Sequence, residues 1–149
     1  MLRVTGIRHH GDWDAAVAAD RVVLDAGDRR RRRVVLAGEK GSEFLLDAAA
    51  PLALRDGDGL VLDDGTIVLV AGQPEALLEI SAGSAVDTVR LAWHLGNRHT
   101  DVQIAADKIR IRRDHVLEEM LRGLGASVVP LEAPFDPETC APHGHDHGA

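Results

Sequence analysis

At Gly72-Gln73-Pro74 the chain changes its repeat, and that change limits the folds open to it. Before it, "RVVLDAG", "RRVVLAG", "SEFLLDAA", "DGLVLDDG" and "TIVLVAG" are short runs rich in β-branched residues or leucine, each bounded by turn residues. They predict a set of antiparallel strands. The Asp64-Gly65 pair between the last two predicts a tight hairpin, because Gly supplies the positive φ that primed turns require. Beyond Pro74 the order becomes strand, helix, strand, strand, helix, strand. "EALLEIS" is the first strand, and Ser84 is placed to cap a helix over about 85–96. "DVQIAADKIRIRR" alternates on both sides of Ala106-Asp107, as a hairpin does. Asp114 caps a second helix whose Val116, Leu117, Met120, Leu121 and Leu124 form one apolar stripe and which stops at Gly125. "SVVPLEA" closes the unit.

The fold class is therefore α+β: an all-β domain over residues 1–73, then a ferredoxin-like βαββαβ domain over 74–135. Residues 136–149 carry Pro137, Pro142 and no periodicity, and are expected to be a disordered, His-containing tail.

Composition narrows the function. A formal net charge of −7 disfavours nucleic acid, whose affinity comes mainly from phosphate neutralisation, and favours cations. Aromatic residues make up 3% of the chain and are absent from "DVQIAAD" and "KIRIRR", so the base-stacking surface of an RNA-binding βαββαβ module is missing. No apolar run approaches the ~20 residues of a membrane span, and the start of the chain has no signal pattern. No membrane partner and a cytoplasmic location are the expectation. The single Cys140 offers no CxxC pair for copper. With no HExxH, no GxSxG and no phosphate-cradling loop, an enzyme is not expected.

The histidines separate by geometry. On the first helix Asp87, Arg90, His94 and Asn97 share a polar stripe, while Val86, Val89 and Trp93 lie on an apolar one, which makes His94 a surface residue. His99 falls past the end of that helix, at the junction with the next strand, and is the better candidate ligand. A lone imidazole holds a divalent ion weakly, but a residue on a two-fold axis is presented twice. His115 sits just inside the second helix beside Asp114. The tail residues His143, His145 and His147, spaced by Gly and Asp146, can wrap a cation without a preformed cavity, and imidazole suits nickel, copper and zinc.

"DGDG" at Asp56 to Gly59 resembles the start of a calcium loop but meets Ile67 where the closing Glu belongs, so it reads as a turn. The arginine run Arg29 to Arg33 reads as a solvated edge near Asp25 and Asp28, or as a docking patch for an acidic partner.

Taken together, "WHLGNRH", the hairpin after it, "RDHVLEEMLRGLGA" and the upstream "LRDGDGLVLDDGTIVLV" and "PEALLEI" closely resemble the UreE family of urease accessory proteins over nearly the whole chain. The most specific elements are "GNRH" and "DHVLEEML". The resemblance implies a nickel metallochaperone that donates Ni2+ during assembly of the urease active site, with Zn2+ or Cu2+ as further ions it binds. It implies a homodimer formed through the ferredoxin-like domain, with His99 of each subunit meeting its mate on the metal and His115 as an auxiliary ligand. Some members carry a histidine where this chain has Arg113, so an auxiliary site using that position is absent or different here. Expected partners are the urease accessory GTPase UreG and the urease apoprotein with its accessory complex, with the β-domain binding partner polypeptide. The competing reading is a peptide-binding assembly scaffold in which metal is incidental. Imidazole must be deprotonated to ligate, so metal binding is expected to weaken as pH falls.

Overall fold

The computed structural model describes residues 1–138, which fall into two compact units, Met1–Gln73 and Pro74–Glu138. The first is all-β. Its strands are β1 (Leu2–Arg8), β2 (Asp20–Leu24), β3 (Arg33–Ala37), β4 (Glu43–Asp47), β5 (Gly59–Leu62) and β6 (Ile67–Gly72), ordered β2-β6-β5-β1-β4-β3 in one sheet. Strand β1 was not among the expected strands, because Gly6 and the charged Arg3 and Arg8 break up its apolar run. Leu2 and Val4 nevertheless alternate inward, and the ladder to β5 shifts register between Val4 and Gly6. Nor is the sheet wholly antiparallel, since β1 pairs with β4 and β2 with β6 in parallel. Only strands that are neighbours in sequence can be joined by a tight hairpin, and these pairs are not.

The Asp64-Gly65 hairpin forms with a three-residue loop in place of a primed turn. Leu62 N–H reaches Thr66 O at 2.8 Å, Gly65 N–H reaches Leu62 O at 2.9 Å, and of the loop residues only Gly65 has a positive φ, at 87°. Asp64 Oδ1 accepts from the Thr66 hydroxyl at 2.6 Å, which favours this wider turn. "DGDG" is a turn, as expected. Its carboxylates serve the backbone: Asp58 accepts from His10 N–H at 2.9 Å and Arg55 N–H at 2.8 Å, and Asp56 accepts from Gly72 N–H at 2.8 Å.

The arginine run is not one solvated edge. It begins in a 3-10 turn, Asp28–Arg30, and Arg29 is buried, donating from Nε to Leu24 O at 3.2 Å and from Nη1 to Leu54 O at 3.1 Å. Arg30 to Arg33 are exposed.

The second unit has β7 (Pro74–Ser81), α1 (Ala85–Asn97), β8 (Gln103–Ala105), β9 (Lys108–Arg112), α2 (His115–Gly123) and β10 (Ser127–Pro134). Its sheet order is β10-β7-β9-β8, all antiparallel, the ferredoxin-like βαββαβ arrangement. Leu91 and Leu95 of α1 and Leu121 of α2 pack on Leu78, Ile80, Ile109, Ile111 and Val128 of the sheet. Alternation sends Glu79, Lys108, Arg110 and Arg112 to the other face, where Glu79 is bracketed by Arg110 at 2.9 Å and Lys108 at 3.4 Å. Residues 136–138, assigned by sequence to the tail, are instead tied to this unit. Asp136 N–H donates to Gln103 Oε1 at 3.1 Å and Glu138 N–H to Val102 O at 2.7 Å, behind a fully buried Phe135 that lies under the Arg112 guanidinium. They bond the Gln103 side chain and the carbonyl just before the short strand β8, while Glu138 Oε1 accepts from Ile104 N–H at 3.5 Å, contacts that local sequence does not reveal.

Candidate metal centre

The end of α1 positions His99. Ser84 opens the helix by accepting from Asp87 N–H at 3.1 Å. At the other end His99 N–H donates to Gly96 O at 3.0 Å and Thr100 N–H to Leu95 O at 3.2 Å. These two bonds with a left-handed residue between cap and strand make a Schellman motif, whose left-handed place normally falls to Gly. Here it is taken by His99, at φ 55°, with its side chain exposed.

His99 opens onto a shallow depression of about 250 Å3 shared with Arg98, Asp101, Arg112, Arg113 and Asp114. His115, the first residue of α2, is exposed, and Asp114 before it accepts from Val116 N–H at 2.9 Å and Leu117 N–H at 3.1 Å. His115 does not line the depression. His143, His145 and His147 lie outside the described residues, as do Cys140 and Asp146. Among the described residues no three His, Cys, Asp or Glu side chains gather closely enough to hold a metal ion. The chemistry of His99 fits a borderline divalent ion as one donor of a larger set, and one chain's described residues do not supply that set.

His94 departs from the expected surface position. It is half-buried, with its ring edge-on to Trp93 at 5.1 Å between centroids, and it lines a separate cleft of about 340 Å3 with Asp87, Arg90 and Leu124. The feature that sequence reasoning left unused is the other stripe of α1. Val86, Val89 and Trp93 are 60%, 67% and 64% exposed, because Leu91 and Leu95 on the opposite side fill the core. A helix with two apolar stripes and only one sheet to pack on was the available signal.

Comparison with known proteins accounts for the whole arrangement. The model of the UreE urease accessory protein N-terminal domain matches residues 2–73, and that of the UreE C-terminal domain matches residues 75–149. The urease accessory protein UreE of Bradyrhizobium sp. (strain ORS 278) is 53% identical over 99% of this chain and 71% of its own length. That of Rhodopseudomonas palustris (strain BisB18) is 51% identical over 99% of this chain and 72% of its own. The Rhodobacter capsulatus protein is 43% identical over 99% of this chain and 94% of its own. Both the β-domain and the βαββαβ domain are thus matched, and the chain belongs to the UreE family of urease accessory proteins, which are not enzymes.

Proposed function

We propose that this protein is a nickel metallochaperone acting in the cytoplasm, which binds Ni2+ and donates it during assembly of the urease active site. The observation that carries this is an exposed imidazole in a backbone position where glycine is the unstrained choice, in a protein of the urease accessory family. Neutral imidazole donors hold nickel yet leave it exchangeable, which suits delivery better than several thiolates would.

One His99 per chain requires further donors, and a two-fold homodimer supplies a second His99. The stripe Val86, Val89, Trp93 supports this. It is exposed on the side of α1 away from its own core and runs toward the helix end that precedes His99. His115 serves as an auxiliary ligand, and His143, His145 and His147 capture the ion and pass it to the His99 pair. The same donors accept Zn2+ and Cu2+. Delivery follows docking to the urease accessory GTPase UreG and to the urease apoprotein complex.

Isothermal titration of Ni2+ into the intact protein, into His99→Ala and into a chain truncated after Ala141 tests the reading. The truncated chain should retain a tight site holding one ion per two chains, and His99→Ala should lose it. A His99→Ala protein that keeps the tightest site overturns the assignment.

A further inference from the structure

His99 keeps a left-handed backbone that its β-carbon makes costly, and such a conformation persists only where its surroundings fix it. On the helix side the turn is fixed by the two Schellman bonds. The other side is the exit toward β8, where backbone pairing with β9 begins only at Gln103, opposite Arg110. Residues 101 and 102 are held by other means. Continuing the β8–β9 register by two residues sets Asp101 across from Arg112, and there Arg112 Nη1 donates to Asp101 Oδ2 at 3.2 Å. Val102 O accepts from Glu138 N–H at 2.7 Å.

Arg112 is itself anchored. Its Nε donates to Glu75 Oε1 on β7 at 3.1 Å, and its guanidinium lies 4.8 Å from the ring centroid of the fully buried Phe135, just before the segment that bonds Val102. One guanidinium thus ties the residue two after His99 to an interior strand and to residues 136–138. A planar group with several donors can meet two carboxylates and a ring at once, which lysine in this position would not do. The Asp101 and Arg112 side chains are 49% and 45% exposed, so their pair adds little to global stability. Its effect is local. We propose that Arg112 is a positioning residue, which acts through Asp101 to hold the turn at His99 in the left-handed conformation that presents the imidazole. The consequence for nickel rests on the reading above. The hold on the turn does not, since every group in it belongs to the metal-free chain.

The test uses the full-length protein. In its metal-free form, amide hydrogen exchange at His99 and Thr100 is followed by NMR in the parent, in Asp101→Asn, in Arg112→Met and in the double variant. Asp101→Asn leaves Arg112 on Glu75 and Phe135, so it removes the tie without disturbing the strands. Each single variant should exchange about threefold faster, the worth of one half-exposed ion pair, and the double variant no faster than either. Arg21→Gln, which breaks the exposed Arg21–Glu39 pair of the β-domain, should leave both amides unchanged. Unchanged exchange in both single variants, or equal acceleration in Arg21→Gln, overturns the proposal. In a second arm nickel is titrated. Each single variant should bind it about tenfold more weakly, because a two-fold pair counts a threefold loss twice. The sign at Arg112 separates positioning from charge: removing a cation near a bound dication tightens binding if charge governs, and loss of positioning weakens it. Tighter nickel binding in Arg112→Met overturns the positioning role. So does faster exchange with unchanged affinity at a nickel site that His99→Ala abolishes. Faster exchange with nickel held equally well by His99→Ala overturns the proposed function and leaves the hold on the turn standing.

Discussion

His99 occupies at the end of α1 the place that Gly125 occupies at the end of α2. Both are left-handed, at φ 55° and φ 87°, and both sit in the same pair of bonds. Gly125 N–H donates to Arg122 O at 3.0 Å and Ala126 N–H to Leu121 O at 3.0 Å, as His99 and Thr100 do to Gly96 and Leu95. One fold thus contains the same helix stop twice, once with the residue that backbone sterics favour and once with a histidine. A β-carbon at that φ costs about 1 kcal/mol or somewhat more. His99→Gly should therefore stabilise the protein to thermal or urea unfolding by about 1 kcal/mol while abolishing tight nickel binding. A glycine variant no more stable than the parent would mean that the histidine is not strained.

The second stripe of α1 gives an independent test of the dimer. Val89 and Trp93 face away from the core, so Val89→Asp with Trp93→Glu should leave the monomer folded, with helix content and core intact. A charge buried without a partner at a two-fold interface is presented twice, so association should be lost. Analytical ultracentrifugation should show a dimer for the parent and a monomer for the variant, with the shared nickel site lost as well. A double variant that still sediments as a dimer places the interface elsewhere.

Local signals made much of this fold legible in the sequence. Ser84 and Asp114 cap the helices expected of them, and the strand and helix order after Pro74 is the one observed. What stayed hidden depends on residues far apart. Parallel pairing of β1 with β4 leaves no turn signature, and burial of Arg29 is decided by the carbonyls of Leu24 and Leu54. His99 was selected by position, but its left-handed backbone follows from how Thr100 and Leu95 bond, which spacing does not encode. The exposure of Trp93 required knowing which stripe the sheet would take.

Asp20 gives the β-domain a specific acid sensitivity. The residue is 3% exposed, and its carboxylate accepts from the backbone N–H groups of Arg21 at 2.7 Å, Lys40 at 2.9 Å and Ser42 at 3.1 Å. Burial alone would raise its pKa, but these N–H groups and the Ser42 hydroxyl outweigh burial and lower it from 3.8 to about 2. The folded state thus holds the carboxylate in its charged form more strongly than the unfolded state does. The resulting stability is present above about pH 4 and is lost as pH falls toward about 2. Unfolding followed from pH 7 to pH 2 should show this loss in the parent and a flatter profile in Asp20→Asn, which should also be less stable at neutral pH. Identical profiles would show that another carboxylate governs acid unfolding.

The arginine run should divide sharply on mutation, although its members are chemically alike. Arg29 is 1% exposed and satisfies two backbone carbonyls in the β-domain. Arg29→Met keeps much of the apolar stem but leaves Leu24 O and Leu54 O without those donors. Each buried acceptor left unsatisfied costs about 1 to 3 kcal/mol, partly offset because a charge no longer has to be desolvated. The expected net loss is about 2 kcal/mol, read as a lower urea midpoint at unchanged slope. Exposed Arg31→Ala should change stability by no more than about 0.5 kcal/mol. Equal effects at the two positions would contradict a structural role for Arg29. A large loss at Arg31 alone would show instead that stability depends on the exposed part of the run.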